Sequence, residues 1–489
     1  MRTSSERILS THTGSLPRPA SLVDLYARRA RGEQVDEAKL AAEGHAAMLR
    51  SVERQIEAGL DVINNGEQQR EGFFLYVQHR MSGFGGSWKR WTRADVERYP
   101  AFRQMMDEQN RGRTAVSNFA PPRVVSEVRY LDPAVASVEA NDFSQALQGR
   151  DGRYVEAFLT APSPGIIAAA CRNEHYDSER AYLRALGEAL RHEYEAIVNA
   201  GFVLQLDCPD LALEHHVSFH EAGEARFLQF VERVVETLNE AIRNLPPDRV
   251  RMHVCWGNYE GPHDCDVPLE LIWPVIRETR VGGFVLPFAN ARHAHEMRVL
   301  KRMPLKDDQV IVAGVIDVLT NFIEHPEVVA DRLEQMSGFV RGPERLRYVG
   351  RHGAGRLRCG VGEAALAYRR RTAREHAPLS QRRLNQPVVE RLLNLFWILL
   401  GSGGAWHAWT LGLRGPSGPE SGLFPFIASC ALACLGLALM AARRSAAGNP
   451  QWPDAGSGLR AAGVALGIAL MAFGMDRIGF VAAAAIAMP

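Results

Sequence analysis

Seven short apolar runs recur along residues 1 to about 340, each separated from the next by a stretch that reads as helix. They are 7–15, 61–67, 153–162, 202–207, 251–256, 282–289 and 310–317. The clearest helices are expected near 36–59, 178–200 and 222–245, the last stopped by the paired prolines of "NLPPD". Strand and helix in alternation predict an α/β architecture with a parallel sheet, because parallel neighbours need a crossover connection. The length suits a closed (β/α)8 TIM-type barrel. A doubly wound open sheet is the second choice, and no G-x-G-x-x-G turn supports it. Polar residues gather at the C-terminal ends of the runs: Thr11 to Ser15, Asn64 to Glu67, Asp207, His253, Cys255, Asn290 and Asp317. In a barrel those ends converge on one mouth.

The character of the chain changes after about residue 390. Residues 392–413 and 423–442, stretches of 22 and 20 residues, contain no Asp, Glu, Lys or Arg. Each is long enough to cross a bilayer, so a C-terminal all-α transmembrane segment is expected. The stretches 461–475 and 478–489 read as a marginal span and a truncated one. Arginines precede the first span and follow the second, whereas the loop between them holds only Arg414. The positive-inside rule then places the barrel in the cytoplasm and the C-terminal segment in the inner membrane. The expected division is a barrel over 1–345, a basic linker or altered barrel end over 346–389, and a membrane segment over 390–489. The 57 basic and 56 acidic residues nearly cancel, which gives no footprint for nucleic acid. Seven scattered cysteines and a polar start, Met1 to Pro19, predict reduced thiols and no signal peptide.

The stretch "RMHVCWGNYEGPHDC" (251–265) carries the densest chemistry. His253 and Cys255 are two apart on an expected strand, so both side chains point to one face. Imidazole and thiolate together suit zinc, although H-x-C alone is equally a packed strand end.

From "ILSTHTGSLPRP" through "HVCWGNYEGPH" to "GVIDVLTNFIEHPE" the chain resembles the catalytic barrel of cobalamin-independent methionine synthases. That resemblance implies transfer of a methyl group from methylated tetrahydrofolate to the thiol of homocysteine, with Zn2+ binding the thiol. By position it implies His253 and Cys255 as two zinc ligands, with Cys359 in "RCGVG" as a later one. It also implies Ser15 in the loop that meets the homocysteine carboxylate, and Glu67 and Asp207 as the carboxylates that hold its ammonium. Without it, Ser15 reads as a turn residue, Glu67 as a helix-start carboxylate and Asp207 as a turn former.

Two departures stand out. Pro287 occupies the place of an expected glutamate ligand, which leaves Glu260, Asp264 or Cys265 as substitutes. The segment 345–376 is rich in Arg, Gly and Ala and poor in strand character. A slip of reading frame near 340–350, running one gene into the next, accounts for this, as does a divergent terminal helix with a basic linker. Residues from 395 onward, above all "GPSGPESGLFP", resemble the small membrane subunit of tripartite tricarboxylate transporters, which implies a membrane and a large permease as partners. Alternatives to methionine synthesis are zinc-thiolate alkyl transfer to another thiol, a transporter accessory subunit carrying an inactive barrel, and a hybrid with neither activity.

Overall fold

Eight parallel strands carry the N-terminal part of the chain. In the computed structural model the described residues are 1–4, 7–110, 121–259, 261–317, 320, 323–340, 343–349, 386–415, 418–419 and 423–441. Two compact units divide the chain, Met1–His376 and Ala377–Pro489. The strands of the first are β1 (Leu9–Thr11), β2 (Val62–Ile63), β3 (Glu156–Pro162), β4 (Val203–Asp207), β5 (Val250–His253), β6 (Gly283–Pro287), β7 (Val310–Gly314) and β8 (Leu346–Val349). Each pairs in parallel with the next from β2 to β8, and β8 pairs with β1. The remaining seam is closed by Asp61 N–H on the Ser10 carbonyl at 3.2 Å and by the Thr11 hydroxyl on the Val62 carbonyl at 2.9 Å. The expected barrel is therefore present.

Strand alternation sorts the residues into two layers. Leu159, Leu204, Met252, Phe284, Ile311, Leu346 and Tyr348 face outward into the main apolar core beneath the helices. Their neighbours face inward, where Val62 packs with Phe158 and Val203, and Val285 packs with Val312. The rest of the interior is polar. The fully buried Arg251 donates to Gln205 at 2.9 Å and stacks 3.9 Å over the Phe158 ring, while Arg347 donates to Glu156 at 2.9 Å.

This interior explains a correction. β8 lies past the expected boundary at 345, in a segment read as poor in strand character. Its sequence, Leu-Arg-Tyr-Val, looks polar because Arg347 points into a barrel that supplies Glu156 as its counter-ion.

Helices α1 (Glu37–Glu57), α2 (Ala134–Leu147), α3 (Glu179–Asn199), α4 (Glu224–Ala241) and α5 (Pro326–Phe339) cover the strands. Side chains at the N-caps start three of them: Asp36 accepts from Lys39 N–H at 3.0 Å, Ser178 from Ala181 N–H at 3.2 Å, and His325 from Glu327 N–H at 3.2 Å. Gly223 begins α4 at φ +83°.

In the second unit, α6 (Gln386–Thr410) and α7 (Leu423–Ala441) pack where Gly401 approaches the backbone of Ser429 and Ala433 so closely that a Cβ would lie 2.6 Å from Ala433 N. The membrane expectation requires correction here. Among the described residues no helix is long and apolar enough to cross a membrane. Gly401 to Gly404 and His407 interrupt the apolar residues of α6. The stretches 461–475 and 478–489 lie outside the described residues.

A buried ionic knot ties the loop after β2 to the helix layer. Arg70 donates to Glu139 of α2 at 2.8 and 3.1 Å and reaches Glu193 of α3 at 3.3 Å. Arg80 pairs with both carboxylates. Burial by itself would raise the Glu139 carboxyl, but Arg70 and Arg80 outweigh it and lower it from 4.5 to about 2. Removing Glu139 would leave two buried guanidinium groups to share Glu193 alone. Glu139→Ala should therefore cost about 3–5 kcal/mol, read as a lower denaturation midpoint in urea. Because the folded carboxyl is depressed, its stabilisation is present above about pH 4.5 and fades as pH falls toward 2. Acid titration of wild type and variant should thus converge in that window, and a constant gap down to low pH would contradict the assignment.

Candidate active site at the barrel mouth

The C-terminal ends of the strands enclose a cavity of about 420 Å³. The β1 loop lends Thr13, Gly14 and Ser15, β4 lends Asp207, and β5 lends His253 and Cys255. Pro287 comes from β6, and Gly314 and Asp317 from β7 and its loop. Aromatic and basic residues of the long insertion after β2, Phe73, Phe74, Arg90 and Arg93, complete the wall.

Register builds the centre of this site. Asp207 stands opposite His253 in the β4–β5 ladder, and its Oδ1 lies 3.1 Å from His253 Nδ1. Asp207 Oδ1 also accepts from Gln205 at 2.8 Å. Cys255 follows the end of β5 and lines the same cavity beside that imidazole. Burial disfavours charge on that ring, but Cys255 and Asp207 outweigh it and raise His253 to about 10. An imidazole steadied by a carboxylate at one nitrogen has its other nitrogen aimed, as zinc ligands commonly do.

Glu67 sits across the mouth. Its backbone has φ +53°, directly after Gly66 at φ +67°, a conformation that a residue with a Cβ rarely adopts. Asn64 and Asn65 hold this turn by accepting from the N–H groups of Gly66 and Glu67 at 2.8 and 2.9 Å. The buried carboxylate accepts from Ser15 at 2.7 Å and Thr160 at 3.0 Å. Burial and the nearby Asp207 charge push its pKa upward, against Ser15, Arg70 and Arg18. Two carboxylates that repel one another in a buried wall are matched by an incoming cation.

The sequence-derived residues Ser15, Glu67, Asp207, His253 and Cys255 therefore converge. Cys359 and Glu260 lie outside the described residues. Of the other substitute ligands, Asp264 is engaged by Arg98 at 2.8 Å and Tyr99 at 2.9 Å, and Cys265 lies beside Asp264. Pro287 faces the cavity with no donor atom. As a test of fit to zinc, His253 and Cys255 supply one nitrogen and one sulfur of a tetrahedral set, while the wall at Pro287 supplies nothing.

Sequence reading passed over His263, Asp266 and His293. His263 and His293 line the same cavity, and both meet Asp266, at 2.8 and 2.9 Å. Burial opposes charge on His293, but Asp266 and Glu296 raise it to about 9. His263 stood in the densest motif, but its partner His293 is thirty residues on in another loop, and no spacing rule joins them.

Comparison with known proteins bears on this geometry. The family described as "Cobalamin-independent synthase, Catalytic domain" matches residues 8–347, and the "Tripartite tricarboxylate transporter TctB family" matches residues 391–489. A methionine synthase of Sulfurisphaera tokodaii is 26% identical over 341 residues, 69% of this chain and 83% of the relative. One from Saccharolobus solfataricus is 25% identical over 332 residues, 67% of this chain and 82% of the relative. Among solved structures, a B12-independent methionine synthase from Shewanella, in complex with selenomethionine, superposes with TM-score 0.52 at 19% identity, covering 76% of this chain and 98% of the other. A putative vitamin-B12 independent methionine synthase from Listeria monocytogenes gives 0.50 at 18%, covering 76% and 99%. With more than half its length matched by the first family, the chain belongs to the cobalamin-independent synthase catalytic-domain family.

Proposed function

We propose that this chain is a homocysteine S-methyltransferase that takes its methyl group from methylated tetrahydrofolate and works in the cytoplasm. The observation that carries this reading is the pairing of two adjacent features. One is the buried carboxylate pair, Glu67 and Asp207; the other is the imidazole–thiol pair, His253 and Cys255, which touches Asp207. An amino acid with a short thiol side chain presents an ammonium to the first and sulfur to the second.

Each residue then has a role. Glu67 and Asp207 hold the ammonium, and Ser15 fixes one Glu67 oxygen while its loop faces the substrate carboxylate. Asp207 also orients His253. His253, Cys255 and Cys359 are the proposed ligands of zinc, which when bound converts the substrate thiol to a thiolate nucleophile. The flat faces of Phe73 and Phe74 suit the donor's ring system, and Arg93, stacked 4.1 Å over Tyr259, suits its anionic tail. In the transfer the sulfur–carbon bond forms as the donor's nitrogen–carbon bond breaks, so alignment of the two substrates sets the rate. In the proposed division the barrel runs through β8, residues to about 389 form a basic or frame-slipped link, and 390–489 form the transporter-like segment.

Pro287 favours a second reading, in which the same barrel alkylates a different thiol. Full-length protein incubated with homocysteine and methylated tetrahydrofolate should release methionine, detected by mass spectrometry. If another thiol is alkylated while homocysteine is not, the second reading replaces the first. In the active protein, Asp207→Asn and Glu67→Gln should each raise the KM for homocysteine by about 10- to 100-fold, because a buried charge pair is lost. An unchanged KM in both variants would remove the carboxylates from the substrate site.

A further inference from the structure

At the cavity wall, three loops bring three histidines onto one carboxylate. Asp266 comes from the loop after β5, as does His263, while His293 follows β6 and His216 follows β4. The insertion after β2 adds Asp95. All five residues are buried.

The direction of every partner is informative. His263 meets Asp266 Oδ2 with Nδ1 at 2.8 Å and the Tyr259 carbonyl with Nε2 at 3.0 Å. His293 meets the same Oδ2 with Nε2 at 2.9 Å and Glu296 with Nδ1 at 2.9 Å. Each ring thus has one nitrogen on the central carboxylate and the other on an outer acceptor. That is the arrangement of metal-ligating histidines, whose second N–H donates to a carboxylate or a backbone carbonyl. The ligand atoms of His263, Asp266 and His293 all lie within 4.8 Å of one another. His216 supplies an independent sign. It is fully buried, neither ring nitrogen makes a hydrogen bond, and Nε2 points at Asp266 Oδ1 from 3.3 Å while Nδ1 faces Asp95 from 3.6 Å. Asp266 Oδ1 is likewise without a hydrogen bond.

Every partner of His263 and His293 is an acceptor, so each ring must carry two protons, and two imidazolium ions must share one carboxylate oxygen. A divalent cation replaces the inner protons, releasing them to water, and leaves the outer N–H bonds intact. We propose that His263, Asp266 and His293, with His216 as the neighbouring fourth donor, bind Zn2+ through nitrogen and oxygen. This site is separate from the His253–Cys255 pair and does not depend on the homocysteine reading.

The two sites differ in sulfur, which makes them separable. Full-length His253→Ala/Cys255→Ser protein, loaded with zinc and dialysed, should retain about one zinc per chain by mass spectrometry of the metal. Loaded with Co2+, it should show visible d–d absorption without a thiolate-to-cobalt charge-transfer band. Adding Asp266→Asn or, in a second protein, His293→Gln should remove that equivalent. Retention of no zinc by the double variant overturns the proposal. So does a charge-transfer band in its cobalt spectrum, or full retention after both further substitutions. Wild-type protein that forms no methionine, while the double variant retains this zinc, would count against the homocysteine reading alone.

Discussion

The closed parallel ladder constrains everything at the mouth of this barrel. Once β4 and β5 pair with Asp207 opposite His253, the parity of each strand is fixed. Leu204, Leu206 and Met252 must then face the helices, and Gln205, Asp207, Arg251 and His253 must face the axis. A one-residue slip would bury the carboxylate in the apolar layer and expose the leucines. The apolar outer layer thus holds the register that builds the polar site.

The interior shows how charge is tolerated inside such a barrel. Arg251 and Arg347 lie in its lower layers, fully buried, with Glu156, Gln205 and the Phe158 ring as partners. Burial and the neighbouring Arg347 charge together lower Arg251 to about 9. Above them the charge reverses, with Asp207 lining the cavity and the buried Glu67 near it. A positively charged floor beneath a negatively charged rim favours a zwitterionic ligand held by its ammonium end.

Much of this was legible in the sequence, and the exceptions have physical causes. Seven strands announced themselves because their outward residues are apolar. β8 did not, since its inward Arg347 breaks the apolar run and only the folded barrel reveals Glu156 beside it. Ser15, Glu67, Asp207, His253 and Cys255 were named because the family resemblance implies them, and each lies at or shortly beyond the C-terminal end of a strand. His216, His263, Asp266 and His293 were not, because three separate loops supply them and their meeting is purely tertiary. In the C-terminal unit the lack of charge over 392–413 suggested a span, but α6 spends part of its length on small residues that let α7 approach.

Selective binding tests the central claim most directly, that Glu67 and Asp207 read an ammonium beside a thiol-binding pair. Calorimetric titration of the full-length protein should show homocysteine binding at least about tenfold tighter than 4-mercaptobutanoate, which keeps the thiol and carboxylate but lacks the ammonium. Equal affinity for the two would contradict the account.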